Sequence, residues 1–282
     1  PNALGRQHGR NMGRGAGVST YRNHFPAARA IIGVIHLPAL PGYPGSPGLT
    51  ACIDKALADL EALEAGGADG VLVENEYDRP HTLLAARETI ACMTRITSEV
   101  VAAARQCVVG IEILINDPEA SLGVAQAAGA SFIRTDYFTD PMFREEYGGA
   151  MRIDAPGLLA YRERIGADEV MIMADIQVKY ARLMVERSLA SSAQIAFEAG
   201  ADAVIVSGDA TGDPARVPDL ALAKSGAGDR PVLIGSGLDA ANATDLLAPC
   251  DGAVVGTSLK TGEMIDADRV SAIVAAAWSF KP

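Results

Sequence analysis

No run of about 18 consecutive apolar residues, the length a membrane-spanning helix needs, occurs anywhere in the 282 residues. The first 25 residues also lack the apolar core of a secretory signal, so no stable membrane insertion is expected. Cysteine is sparse. Cys52, Cys92, Cys107 and Cys250 lie far apart with no Cys-x-x-Cys spacing. That argues against a zinc cage and reads as four reduced, mostly buried thiols of a cytoplasmic protein. Basic residues are the minority, 24 Lys and Arg against 35 Asp and Glu, for a net charge of −11. Residues 1–53 hold five Arg and no acid, so removing their +5 from −11 leaves −16 on residues 54–282. An acidic body argues against nucleic acid as the partner. A small phosphorylated ligand remains compatible, because it meets only its own pocket. The first apolar segment is not followed by Gly-x-Gly-x-x-Gly but by Pro38, Pro41, Pro44 and Pro47, which argues against an open dinucleotide-binding sheet.

What the sequence does have is hydrophobicity, at 49%, and an internal rhythm. Residues 1–29 show no apolar period and read as a flexible basic arm, leaving residues 30–282 as one domain. Ala65-Gly66-Gly67-Ala68-Asp69-Gly70 runs into Val71-Leu72-Val73. Ala128-Gly129-Ala130 runs into Ser131-Phe132-Ile133, and Ala199-Gly200-Ala201-Asp202 into Ala203-Val204-Ile205. Cys250-Asp251-Gly252 runs into Ala253-Val254-Val255. Each is a helix ending at glycine, then a short buried strand. Strands are expected near 31–36, 70–75, 109–115, 131–136, 170–176, 202–207, 231–235 and 252–256. Eight such units in about 250 residues predict an α/β fold, a parallel closed (β/α)8 TIM barrel.

In that fold the site lies at the C-terminal ends of the strands. Alternate residues share a side, so one series per strand faces inward. The series run Ile32-Val34-His36, Leu72-Glu74-Glu76, Gly110-Glu112-Leu114-Asn116, Phe132-Arg134-Asp136 and Met173-Asp175-Gln177-Lys179. Each turns polar at its C-terminal end. His36, Glu74, Glu112, Asn116, Arg134, Asp175 and Lys179 are therefore the candidate catalytic groups. Lys179 suits either a Schiff-base amine or an electrostatic partner for developing negative charge. Glu74, Glu112 and Asp175 could together hold Mg2+, although no metal-specific spacing is present. His8, His24 and His81 lie in the arm or a loop and carry no signal. The last three strands end in glycine and hydroxyl residues. Ser207, Gly208, Thr211, Gly235, Ser236, Gly237, Gly256 and Thr257 are the expected phosphate cradle, since glycine lets backbone N–H groups approach an anion.

These segments resemble the BtpA/SgcQ family. The resemblance rests on Gly33-Val-Ile-His-Leu-Pro-Ala-Leu-Pro-Gly42, Asp69-Gly-Val-Leu-Val-Glu-Asn75, Ile115-Asn-Asp117 and Phe132-Ile-Arg-Thr135. Ala174-Asp-Ile-Gln-Val-Lys179, Val206-Ser-Gly-Asp-Ala-Thr-Gly212, Ile234-Gly-Ser-Gly237 and Val255-Gly-Thr-Ser-Leu-Lys260 complete it. It implies a ribulose-phosphate-binding type of barrel. It also implies two kinds of role: photosystem I biogenesis for BtpA, and sugar metabolism for SgcQ-like members. The family pattern often places a His after the motif lysine, where this chain has Tyr180. The expected function is a cytoplasmic, homo-oligomeric enzyme using isomerase- or lyase-type proton transfer on a phosphorylated sugar or related phosphometabolite. The alternative is a non-catalytic stability factor for a membrane complex.

Overall fold

Each Ala-Gly repeat does end a helix and start a strand. In the computed structural model, which describes residues 18–279, Gly129 closes its helix in the left-handed conformation at φ 81°. Eight strands follow in chain order: β1 (Ala30–His36), β2 (Gly70–Glu74), β3 (Val108–Glu112) and β4 (Phe132–Thr135). Then come β5 (Met171–Asp175), β6 (Ala203–Val206), β7 (Val232–Ile234) and β8 (Gly252–Val255). All pair in parallel with their sequence neighbours, and β8 returns to β1, closing the barrel. The helices are α1 (Val18–His24), α2 (Leu49–Ala65), α3 (Arg87–Ala103), α4 (Pro118–Ala128), α5 (Ala155–Arg164), α6 (Leu189–Glu198), α7 (Val217–Ala227), α8 (Ala243–Leu246) and α9 (Ala267–Trp278).

Register is pinned by a repeated device that the Ala-Asp motif encodes. Asp69, just before β2, accepts a hydrogen bond from the N–H of Ile31 on β1 at 2.8 Å. Asp202 before β6 does the same to Ile172 on β5 at 2.9 Å, and Asp251 before β8 to Val232 on β7 at 3.0 Å. Each aspartate satisfies a strand-end donor that would otherwise be left unpaired.

The period-two alternation divides the core. Ile31, Val71, Ile111, Ile133, Ile172 and Val204 face outward to the helices. Ile32, Leu72, Phe132, Met171, Met173, Ile205, Leu233 and Val254 fill the barrel. Gly110 makes room inside, since a Cβ there would lie 2.1 Å from the Phe132 ring.

The expectation of a flexible arm over residues 1–29 fails from residue 18 onward. Tyr21 and Phe25 are fully buried and plug the N-terminal end of the barrel. Phe25 packs edge-on against Phe132 with ring centroids 5.9 Å apart. The reason is geometric: a closed barrel exposes the bottom of its apolar interior, and two aromatics four residues apart on a helical turn cover it. Arg22 ties the plug down through Asp251 at 2.5 Å. Residues 1–17 lie outside the described residues. Truncating this plug should cost what an aromatic core deletion costs. Phe25→Ala is expected to lower the unfolding free energy by about 3–5 kcal/mol in urea titration. A change within about 0.5 kcal/mol would show that the plug is not part of the core.

Candidate active site at the barrel mouth

Above the apolar interior of the barrel, charge begins at the C-terminal ends of the strands. Arg134 on β4 is 6% exposed and makes a two-pronged bond to Asp175 on β5. Its Nε donates to Oδ2 at 2.8 Å and its Nη2 to Oδ1 at 3.0 Å. Glu112 on β3 approaches the same Nε at 3.6 Å, and its buried Oε2 has no hydrogen-bond partner. Burial works against the arginine's charge, but Asp175 and Glu112 more than offset that and hold it protonated. The carboxylates respond unequally. Burial pushes Glu112 well above the usual carboxylate range despite the opposing pull of Arg134. Burial, with Glu76 nearby, raises Glu74 to about 7. Burial, with Asp175 nearby, raises Asp136 to about 6.

His36 ends β1 among cations. Lys260 contacts its Nδ1, Glu74 lies 4.0 Å from its Nε2, and Lys55 donates to its carbonyl oxygen at 2.8 Å. Burial, then Lys260, Lys55 and Lys179, pulls the imidazole down to about 3. It is therefore neutral in ordinary buffers. With Nδ1 accepting from the Lys260 ammonium, the ring proton sits on Nε2 and faces the mouth.

A cavity of about 520 Å3 opens above these groups. His36, Glu74, Glu112, Arg134, Asp136 and Lys179 line one part of it. Thr211, Gly235, Ser236, Gly237, Gly256 and Thr257 line another. The N–H groups of Ser236, Gly237, Gly256 and Thr257 donate to no other group among the described residues. Packing also demands these glycines. A Cβ at Gly256 would lie 2.8 Å from His36 Cε1, and one at Gly237, with φ 71°, 2.2 Å from Pro214.

Several expected members are elsewhere. Asn116 lies outside the mouth, because β3 ends at Glu112 rather than near 115. Its Nδ2 donates to the Arg152 carbonyl at 3.0 Å beside a separate cleft at the start of α4. Ser207 and Gly208 line an outer groove. The Ser207 hydroxyl bonds Asp175 at 3.2 Å, and the Gly208 N–H is spent on the Ser236 hydroxyl at 2.8 Å. The Ser236 hydroxyl in turn donates to the Asp213 carbonyl at 2.8 Å, so it ties two loops together. Gln177 does not continue the inward series. The chain turns at φ 46°, and its amide bonds the Arg187 carbonyl and Ser192. Asp175 sits beneath the cavity, committed to Arg134. Among the described residues, no three His, Cys, Asp or Glu side chains are grouped as metal ligands, Glu74, Glu112 and Asp175 included.

The sequence profile of the BtpA family matches residues 27–279. The chain belongs to the BtpA family. It is 38% identical over 268 residues to a Synechocystis photosystem I biogenesis protein, BtpA, covering 91% of this chain and 89% of that one. It is 39% identical over 251 residues to an uncharacterized Archaeoglobus fulgidus protein, covering 88% and 98%. Among solved structures, the barrel superposes on (S)-3-O-geranylgeranylglyceryl phosphate synthase from Thermoplasma acidophilum, in complex with sn-glycerol-1-phosphate. The TM-score is 0.59 at 16% identity, over 93% of this chain and 98% of that one. N-(5'-phosphoribosyl)anthranilate isomerase from Pyrococcus furiosus gives a TM-score of 0.56 at 14% identity, over 89% and 100%. At such identities these likenesses establish the fold. Among the described residues no helix is long and apolar enough to cross a membrane.

Within this BtpA-family barrel, four contributors escape strand parity because they lie outside the barrel strands: His81, Tyr180, and Arg144 and Lys260, which sit in short strands of two small accessory sheets. Tyr180, at φ 61°, accepts the Thr211 N–H at 2.7 Å through its hydroxyl and so anchors the β6–α7 loop. His81, in a segment without pattern, proves 8% exposed and lines the cavity.

Nitrogen-15 NMR of the histidine rings tests the His36 assignment. His36 is expected to show the Nε2–H tautomer and to stay neutral throughout pH 5–8. Lys260→Met removes a like charge, so the His36 pKa should rise and the tautomers should mix. A protonated His36 at pH 6 in the wild type would contradict the assignment.

Proposed function

We propose that this protein is an enzyme that binds a small phosphorylated metabolite and moves a proton on its carbon chain, as an isomerase or lyase does. The observation that carries the reading is the Glu112–Arg134–Asp175 cluster at the cavity, in which the buried Glu112 Oε2 lies 3.6 Å from Arg134 Nε and accepts no hydrogen bond. Burying such a group costs stability, and a purely structural barrel gains nothing by it.

The roles follow from charge state. Gly237, Gly256 and Thr257 offer N–H groups to the phosphate. Glu74, near 7, can take or give a proton around neutral pH. Glu112, raised well above the usual carboxylate range mainly by burial, is a second carboxyl group placed for proton exchange. Lys179 and the Nε2–H of His36 face the oxygen on which negative charge develops. Proton transfer beside a carbonyl needs a base and electrophiles, which these side chains supply without a metal, so EDTA should leave the rate unchanged. Four free, buried thiols suit a reducing, cytoplasmic setting.

The test is hydrogen–deuterium exchange at carbon. A panel of phosphorylated aldoses and ketoses is incubated in D2O and followed by proton NMR. Lys179→Met is expected to slow exchange by about 10²–10³-fold, with little recovery in Lys179→Arg. The rate should fall as pH drops below about 7, because the raised carboxylate Glu74 then takes up a proton and loses its basic form. Binding without any exchange or product would overturn the catalytic reading.

A second reading, a non-catalytic biogenesis factor for a membrane complex, draws on the Synechocystis relative's name. It is favoured by exposed Tyr77, Leu83 and Leu84 on the β2–α3 loop. Under it, Leu84→Glu abolishes complementation of a deletion strain while Lys179→Met does not.

A further inference from the structure

The cavity has a face that phosphate binding and proton transfer leave unused. The β2–α3 and β4–α5 loops bring Arg79, His81 and Arg144 to its lining, away from the β7 and β8 loops. His81 is more than nine-tenths buried, and its Nδ1 has no hydrogen-bond partner. Burial first, then Arg79 and Arg144, pulls its pKa down to about 4, with only Glu146 opposing. The ring is thus a neutral polar group in a locally positive field.

Arg144 is equally built in. Its side chain is 10% exposed and bonds the Tyr137 hydroxyl at 3.3 Å. Its guanidinium lies over the Tyr147 and Tyr180 rings, 4.9 and 5.6 Å from their centroids. Its fork is occupied by the Glu146 carboxylate, at 3.2 Å from Nε and 2.9 Å from Nη2. Glu146 itself is 60% exposed. Arg79, itself the more exposed partner, bonds Glu76 through Nη2 alone. A pair with one arm in solvent is worth little, so an incoming oxyanion that offers oxygens to the same fork can displace it. The carboxylates Glu74, Glu112 and Asp136 also line the cavity, and they favour hydroxyl-bearing carbons beside them.

We propose that His81, Arg144 and Arg79 form a second anion subsite, for a carboxylate or phosphate at the far end of the phosphorylated ligand. The proposal rests on the phosphate reading and narrows the substrate class to doubly anionic phosphometabolites. Matched pairs test it by isothermal titration calorimetry: glucitol 6-phosphate against 6-phosphogluconate, and fructose 6-phosphate against fructose 1,6-bisphosphate. In each pair only the far group changes. At least one doubly anionic member should bind about tenfold tighter or better than its partner, the scale of one charge-assisted hydrogen bond. Which pair shows the gain distinguishes carboxylate from phosphate. The gain should vanish in Arg144→Met and in His81→Phe, with thermal melts confirming that each variant folds, and should return in part in Arg144→Lys. Equal affinities within both pairs, or a gain that survives both variants, would overturn the subsite while leaving the phosphate reading intact. If none of the four compounds binds, the phosphate reading fails and this inference falls with it.

Discussion

The mouth of the barrel is organised by one buried cation. Arg134 sits where the apolar interior ends, bonded through both prongs to Asp175 on the next strand and facing Glu112 on the previous one. Removing such a charge from water is expensive unless it is paired, and the pairing here is lopsided: Asp175 accepts hydrogen bonds from Arg134 on both oxygens, whereas Glu112 faces it only as an ion pair at 3.6 Å. The fork fixes the tops of β4 and β5. It also commits Asp175 to structure and leaves Glu112 as a buried carboxyl with an oxygen that accepts no hydrogen bond. Burial first, and then the neighbouring carboxylates, raise Glu74, Glu112 and Asp136 above the usual carboxylate range.

Around that centre the site is assembled from opposite requirements. The β8 loop supplies Gly256 because His36 needs the space, and Lys260 because a cation on Nδ1 holds the ring neutral with its proton outward. The β7 loop supplies Gly237 because Pro214 crowds it. The same packing that requires glycine also places these backbone segments in the cavity wall.

Much of this was legible in the sequence. The Ala-Gly and Ala-Asp repeats encode helix ends, strand starts and register bonds, and parity alone assigns His36, Glu74, Glu112 and Arg134 to the interior. Parity fails where a strand ends sooner than its apolar run. Asn116 follows a strand that stops at Glu112, and Gln177 follows a left-handed turn just past Asp175. Ser207 and Gly208 look like cradle residues, but their polar groups are consumed by Asp175 and Ser236. His81, Arg144 and Lys260 come from the connections after the barrel strands, in stretches too short to carry a period of their own. The plug at Tyr21 and Phe25 was hidden because two aromatics in a glycine- and arginine-rich segment make no period of their own.

The central claim is that one cavity holds the phosphate on the β7 and β8 loops and the reacting carbons over Glu112 and Lys179. A crystal structure of the protein with glucitol 6-phosphate bound tests it most directly. The account predicts phosphate oxygens within hydrogen-bond distance of the N–H groups of Gly237, Gly256 and Thr257, with the carbon chain running toward Glu112. A phosphate bound instead in the outer groove beside Ser207 and Gly208, with the mouth left to solvent, would contradict it.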